Sequence, residues 1–212
     1  MKLLSKSNGN LARTPEEIEQ MIEKAAEAYA GFLNAVGFDY TADRQTVDTP
    51  KRVAKAWLKD LIVGSITDEP NITVFPNDEG YAGLVIQSGI PIVSMCSHHH
   101  QPVSGVAVIA IIPTGYVIGL SKYARIAQWC ARRGTLQEEL CNDIAREIKK
   151  ATDSENVGVY IQATHGCCEN RGIMAHSSLT QTTVLQGAFK NDPGVKKEFM
   201  DNIKLQQEFA PR

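Results

Sequence analysis

Two groups of cysteine and histidine residues, each at the end of an apolar run, constrain this chain more than any other feature. The first group spans residues 94–100 (SMCSHHH) and lies between the apolar runs 90–93 and 106–112. The second group spans residues 165–168 (HGCC) and follows the run 157–163. Short apolar runs of this kind are typical of buried strands. Groups at the ends of distant strands can converge on one metal ion, so we expect a fold that brings these strand ends together.

The spacing within the two groups predicts the metal ligands. Two residues separate Cys96 from His99, so both can reach one ion from a strand end, and Cys167 completes a Cys/Cys/His set. Such ligands suit Zn²⁺, and three protein ligands leave a fourth position open, as in catalytic sites. The alternative is that the cysteines are buried thiols and the histidines a solvated loop. Cys168 competes with Cys167, but neighbouring side chains in an extended segment point in opposite directions.

Two histidines flank the predicted ligands without being needed as ligands. His98 and His165 are candidate acid–base groups, because histidine exchanges protons near neutral pH. The alternative for His98 is a structural role beside the metal. His100 and His176 are predicted to be non-catalytic.

Composition limits the class of protein and its compartment. The chain has 212 residues, 43% of them hydrophobic, and a formal net charge of -2, which fits one domain with a helical appendage. The basic residues form no long run, and the longest apolar stretch is too short for a bilayer, so we expect neither nucleic-acid nor membrane binding. Residues 1–11 lack the apolar core of a signal peptide, which predicts a cytoplasmic location. Reducing conditions there favour thiols or metal ligands for the five cysteines, and Cys130 and Cys141 are expected in the core.

The order of the predicted elements indicates an α+β fold rather than alternating parallel βα units. A polar arm, 1–13, precedes the other elements, and we divide the chain into an N-terminal arm with helices, 1–64, and a catalytic domain, 65–212. Exposed edges of the antiparallel sheet are expected to be covered by oligomerisation. Helices are predicted at 15–36, 51–63, 121–132, 135–152 and 192–208, and strands at 72–75, 89–96, 102–112, 116–119, 156–164 and 179–186.

The segment Thr135-Leu136-Gln137-Glu138 has two interpretations. It fits a capping box in which Glu138 reaches back to Thr135. It also fits guanine recognition, because a carboxylate can accept the ring N–H and the exocyclic amine, while the amide of Gln137 offers a donor and an acceptor.

Cations occupy the first turns of two predicted helices. Lys122 and Arg125 follow Ser121, the predicted cap of one helix, and Arg52 begins another. The helix dipole favours anions at this end, so the cations make sense if a phosphate binds there as well. Arg171 lies six residues after His165 and can join them. The alternative for each residue is ordinary surface charge.

Taken together, these motifs resemble the GTP cyclohydrolase I family over residues 49–200. Several rare motifs in one order make the resemblance far more specific than any one of them. They are Thr49-Pro50-x-Arg52, Cys96-x-His98-His99, Ser121-Lys122-x-x-Arg125, Gln137-Glu138, His165-x-Cys167, Arg171-Gly172 and Ser178-x-Thr180-x-Thr182.

The resemblance implies a tunnelling fold, in which a four-stranded antiparallel sheet carries helices on one face. Subunits of that family close their sheets into a five-fold barrel, and two rings form a homodecamer with active sites between subunits. The implied reaction is zinc-dependent hydrolysis of GTP at C8, which releases formate and gives 7,8-dihydroneopterin triphosphate for folate, another pterin or a deazapurine.

The resemblance also implies a role for each site residue. Zinc is bound by Cys96, His99 and Cys167. Protons are handled by His98 and His165. Guanine is recognised by Glu138 with the help of Gln137, which we count among the catalytic residues. The remaining residues surround the ribose and triphosphate: Ser121, Lys122, Arg125, Arg171 and, from a neighbouring subunit, Arg52.

Several positions depart from the family pattern. Ser97 replaces a usual Glu, His100 a usual aromatic residue and Glu169 a usual Lys, while Met174 and Ala175 replace polar or acidic residues. An anion at position 169 should weaken triphosphate binding by repulsion. One alternative is therefore a cyclohydrolase-like enzyme acting on a related or modified purine nucleotide. Another is a non-catalytic nucleotide-binding oligomer, although the retained acid–base and guanine-binding residues argue against it.

Overall fold

A four-stranded antiparallel sheet forms the centre of the protein. The structure is a computed structural model that describes residues 2–4 and 9–209, with side chains through residue 205. The strands lie in the order β2-β3-β5-β6, and a separate two-stranded ribbon pairs β1 with β4. Their bounds are β1 Val74–Pro76, β2 Val85–Met95, β3 Pro102–Ile111, β4 Tyr116–Ile118, β5 Val157–His165 and β6 Thr180–Leu185.

Helices precede, interrupt and follow the sheet. The first begins with the capping box that its sequence predicts: the hydroxyl of Thr14 accepts from the Glu17 N–H, and the Glu17 carboxylate accepts from the Thr14 N–H. A π-helical turn, Trp57–Leu61, separates α2 from α3. The α-helices are α1 Pro15–Ala35, α2 Thr49–Ala56, α3 Val63–Ile66, α4 Leu120–Ala131, α5 Gln137–Thr152, α6 Gly166–Glu169, α7 Ala188–Asn191 and α8 Pro193–Phe209.

Both faces of β3 are buried at one end of the sheet. Its residues Ala107, Ile109 and Ile111 pack in the main core with α4 and α5. The interleaved Val108 and Ala110 pack with α7 and α8 on the opposite face. A strand buried on both faces reads as a continuous apolar run rather than an alternating one, which explains the run 106–112. The predicted α+β class is confirmed, but the helices are not confined to one face of the sheet, because α7 and α8 pack opposite α4 and α5.

The strand predicted at 116–119 does not continue the sheet. It forms β4 and pairs with β1 in the separate ribbon. The neighbours of β3 are β2 and β5, which pair with it over nearly its whole length. Because both hydrogen-bonding edges of β3 are taken by long apolar strands, a three-residue strand cannot compete for either.

Two predicted helix starts are wrong. Ser121 is not a cap, because α4 begins at Leu120 with Gly119 as its N-cap. The capping box at Thr135 is not formed either. The N-cap of α5 is Leu136, and the hydroxyl of Thr135 donates to the carboxylate of Glu139 at 2.9 Å. Because α5 begins later than predicted, Glu139 rather than Glu138 reaches back.

The N-terminal helices have a small core of their own, formed by Ile22, Ala54, Leu58 and Ile66. The π-helical turn divides the helix predicted at 51–63. Backbone N–H groups of residues 11 and 13 donate to the carbonyls of residues 65 and 66, so this part of the predicted arm lies against α3. Residues 1 and 5–8 of that arm lie outside the described residues. The division after residue 64 falls within α3 and stays a prediction.

Candidate metal centre and active site

Three of the predicted ligands meet at one end of the sheet. One ligand atom each from Cys96, His99 and Cys167 lies within 4.8 Å of the other two. Cys96 directly follows β2 and is buried, whereas Cys167 belongs to α6, which directly follows β5. The strand register explains the meeting, because Met95 pairs with Pro102 and Val103 pairs with His165. The ends of β2 and β5 are thus held on the two sides of the start of β3.

A tight turn presents His99. The N–H of Cys96 donates to the Gln101 carbonyl, and the N–H of His100 donates to the Cys96 carbonyl, both at 2.9 Å. His100 has a φ of 53°, and its ring meets Trp57 edge to face with centroids 4.8 Å apart. The π-helical turn therefore supports the loop that carries His99. The sequence carries no signal for Trp57, because it lies far from His100 along the chain and only the fold brings the two rings together.

The second cysteine of the pair, Cys168, is exposed and takes no part in the ligand set. Its sulfur lies 3.9 Å from that of Cys167. The prediction chose Cys167 because neighbours in a strand point in opposite directions, but residues 166–169 form a helical turn. Burial and the neighbouring thiols of Cys96 and Cys168 raise the pKa of Cys167 to about 11. Cys130 and Cys141 lie in the core as predicted, and burial raises the pKa of each to about 12.

His165 is half-buried at the end of β5 and is held by α5. Its Nε2 lies 2.8 Å from Oε1 of Gln137, the first residue of that helix. Burial lowers the pKa of His165, while the carboxylates of Glu138 and Glu169 act in the opposite direction. Both carboxylates therefore lie near this imidazole. His98 lies on the exposed loop, its ring centroid 6.2 Å from that of His99.

The predicted phosphate-binding cations are divided between separate parts of the chain. Ser121, Lys122 and Arg125 occupy the first turns of α4, and Lys122 donates to the Asn71 carbonyl at 3.1 Å. The other end of α4 reaches the metal centre, because its last residue accepts a 2.6 Å hydrogen bond from Ser94. At a rise of about 1.5 Å per residue, Ser121 and Lys122 lie about 13–15 Å along α4 from that end, whereas Arg125 lies near the middle of the helix, about 9 Å from it.

The two remaining arginines also lie on exposed segments. Arg171 is exposed and follows α6, the helical turn that carries Cys167, by two residues. Arg52 lies in the first turn of α2 and forms an exposed ion pair with Asp48, with N and O 3.4 Å apart.

Comparisons with known proteins agree with this arrangement. Residues 22–204 match the family described as GTP cyclohydrolase I. The chain belongs to the GTP cyclohydrolase I family. It is 38% identical over 192 residues to GTP cyclohydrolase 1 of Flavobacterium johnsoniae, covering 90% of this chain and 85% of that protein. It is 36% identical over 196 residues to the Vibrio cholerae protein of that name, covering 92% and 88%, and 37% identical to that of Pseudoalteromonas translucida, covering 87% and 100%.

Membership of the GTP cyclohydrolase I family confirms the resemblance and the tunnelling fold that it implied.

Within the described part of the chain, no helix has both the length and the apolar character that a membrane span requires. Two of the departures from the family pattern lie beside residues of the candidate site, and a third lies on an exposed segment. His100 packs on Trp57, Glu169 lies near His165, and Met174 is exposed with a φ of 52°.

Proposed function

We propose that this protein hydrolyses the guanine imidazole ring of GTP at C8, releasing formate and forming 7,8-dihydroneopterin triphosphate. The observation that carries the proposal is the meeting of Cys96, His99 and Cys167 at the strand ends where His165 lies. A Cys/Cys/His set leaves one position open for a reacting group, as catalytic sites require. Curated relatives named GTP cyclohydrolase 1, at 36–38% identity over most of the chain, support the same reaction.

Zinc is the metal that fits these residues. In a tetrahedral Zn²⁺ site with Zn–S distances of about 2.3 Å, ligand atoms lie about 3.8 Å apart. The ligand atoms here lie within 4.8 Å of one another, so small side-chain rotations would bring them to the spacing of a tetrahedral zinc site. Soft thiolates with an imidazole also disfavour magnesium and calcium, which prefer oxygen ligands. When bound, zinc supplies Lewis-acid activation of water.

Proton transfer is assigned to His165 and His98. Burial lowers the pKa of His165, which favours the neutral ring, the form that accepts a proton. His98 lies on the solvent side of the metal loop, beside His99, where it can exchange protons with an incoming substrate. Glu138 is exposed at the start of α5 and near His165, so its carboxylate can accept the N–H edge of a guanine that approaches this histidine.

We assign the triphosphate to cations from a neighbouring copy as well as to Arg171. Ser121 and Lys122 lie about 13–15 Å along α4 from the end that approaches the candidate metal centre, so one chain leaves the phosphate end of its site incomplete. The outer edges of the sheet, β2 and β6, have no partner strand within the described residues, and such edges invite pairing with another chain. These features support the family's ring assembly, a homodecamer of two pentamers, in which Arg52 also comes from a neighbour.

The composition supports a cytoplasmic location. Reducing conditions there would keep Cys96 and Cys167 available as metal ligands.

The test is a formate-release assay with GTP on zinc-loaded protein, with the pterin product followed by fluorescence after oxidation. We expect formate and a neopterin phosphate in equal amounts. His165→Asn should abolish turnover while zinc remains bound, whereas Cys168→Ser should behave like the unchanged protein. A zinc-loaded, assembled protein that releases no formate from GTP would overturn the proposal.

A second candidate is a related reaction on a less phosphorylated or modified guanine nucleotide. It is favoured by Glu169, which adds a carboxylate to the surroundings of His165, where the family usually has a cation. Turnover should then be faster with GDP, GMP or a modified nucleotide than with GTP, and Glu169→Lys should raise turnover of GTP. If GTP is the best substrate of the panel, this candidate is eliminated.

A further inference from the structure

Gln137 is buried between α5 and the sheet, and both edges of its amide are already occupied. Its exposed fraction is only 4%. Nε2 lies within hydrogen-bond distance of the Ile161 carbonyl at 3.3 Å, the Thr180 carbonyl at 3.1 Å and the Thr182 hydroxyl at 3.2 Å. Oε1 lies 2.8 Å from Nε2 of His165. Because the amide is buried and both its NH₂ group and its oxygen already have partners, it is not presented to a purine base.

The surroundings of the amide determine its orientation. Backbone carbonyls only accept hydrogen bonds, so the side of Gln137 that faces Ile161 and Thr180 must be its NH₂ group. The amide oxygen therefore faces His165. Because an amide oxygen only accepts, Nε2 of the His165 ring must carry a hydrogen and donate it.

We propose that Gln137 is a positioning residue that fixes the tautomer and ring orientation of His165. With Nε2 bound to hydrogen, Nδ1 is the basic atom of the neutral ring. When His165 takes up a proton at Nδ1, Nε2–H continues to donate to Gln137, so the contact holds in both charge states. The amide oxygen cannot take the proton itself, and the ring therefore delivers it only through Nδ1.

The sheet makes this arrangement rigid. Ile161 belongs to β5 and pairs with Thr182 of β6, while Ala163 pairs with Thr180. The amide thus bridges the two strands next to the strand end that carries His165. Because the Gln137 side chain is already anchored on two paired strands, it loses little conformational freedom when it orients the His165 ring. Functional sites require supporting residues that are held in this way.

The inference rests on the proposed function and differs from the guanine-reading role considered for Gln137. A residue that reads the base affects substrate binding, whereas one that orients a proton carrier affects the chemical step. The variant Gln137→Leu removes the acceptor and keeps the approximate size. Gln137→Glu keeps an oxygen that accepts from Nε2–H of His165. If its second carboxyl oxygen is protonated, that O–H can donate to the backbone carbonyls in place of the glutamine NH₂ group.

The first measurement is the kinetics of the zinc-loaded holoenzyme with GTP. Gln137→Leu is expected to lower kcat about 10–100-fold, the usual loss when a residue that orients a metal-site or catalytic histidine is removed, with KM little changed. Gln137→Glu is expected to recover much of that loss. Zinc content and the mass of the assembly should match the unchanged protein, which separates this effect from misfolding. A raised KM with little change in kcat would overturn the inference in favour of base recognition.

The second measurement needs no turnover and remains decisive if GTP is not the substrate. Solid-state ¹⁵N NMR of protein labelled at histidine distinguishes protonated from unprotonated ring nitrogens, and His165→Asn identifies the signals of His165. In the substrate-free holoenzyme we expect one neutral tautomer with the hydrogen on Nε2, and a mixture of tautomers in Gln137→Leu. An Nδ1–H tautomer in the unchanged protein, or the same single tautomer in Gln137→Leu, would refute the inference.

Discussion

Replacing Trp57 with leucine is expected to weaken the proposed zinc binding without changing any of the three candidate ligands. The loop that carries His99 is exposed, and the contact between His100 and Trp57 joins it to the π-helical turn at a centroid distance of 4.8 Å. An edge-to-face aromatic pair contributes about 0.5–1.5 kcal/mol beyond its buried area. Without that contact, the metal-free loop populates conformations that do not present His99.

The magnitude follows from this population shift. Apparent affinity falls in proportion to the fraction of protein in the binding-competent state, and about 1.4 kcal/mol corresponds to a tenfold change. Loss of the contact should therefore reduce zinc affinity roughly two- to tenfold. The two backbone hydrogen bonds that close the turn at Cys96 remain, so the site should weaken rather than disappear.

The assay is competition for zinc against a chromophoric chelator, with Trp57→Phe as the matched control. Phenylalanine keeps an aromatic face for His100, so its zinc affinity should stay close to that of the unchanged protein. Leucine keeps an apolar side chain at this position but offers no ring. Equal zinc affinities for the Trp57→Leu and unchanged proteins would refute the reasoning that this contact organises the loop.

Three further outcomes are expected. Gly105→Ala should destabilise the fold by about 1–3 kcal/mol in urea unfolding, because an added Cβ would lie 2.0 Å from a backbone carbonyl of β5; an unchanged unfolding midpoint would contradict this. Ser94→Ala should cost about 1–3 kcal/mol, since a buried carbonyl at the end of α4 loses its 2.6 Å partner, and Ser94→Thr should recover part of that loss. In native zinc-loaded protein a thiol reagent should modify Cys168, while Cys130 and Cys141 should react only after unfolding. The reason is that a pKa of about 12 keeps these two buried cysteines as neutral thiols near neutral pH. Equal reaction rates for all three cysteines would contradict the burial argument.

Residues near each other in sequence were the easiest to predict. The capping box at Thr14 and Glu17 formed as expected because its partners are three residues apart and need no tertiary contact. The same capping-box rule gave a wrong helix start at Thr135, because the contacts of Gln137 with β5 and β6 place the first turn of α5 later. Tertiary contacts therefore overrode a local signal at that position.

Local sequence patterns predicted the α+β class, which is confirmed, and a candidate ligand set, which stays a prediction. Cys/His spacing limits the chemistry of Cys96, His99 and Cys167, and the apolar runs that precede the two groups define the strands. Tertiary packing, by contrast, is what brings Gln137 to His165 and Trp57 to His100. The direction of α4 likewise places Lys122 at the end of the helix away from the candidate metal centre of its own chain. These relations depend on strand register and helix direction, which bring together or separate residues tens of positions apart and leave no local pattern in the sequence.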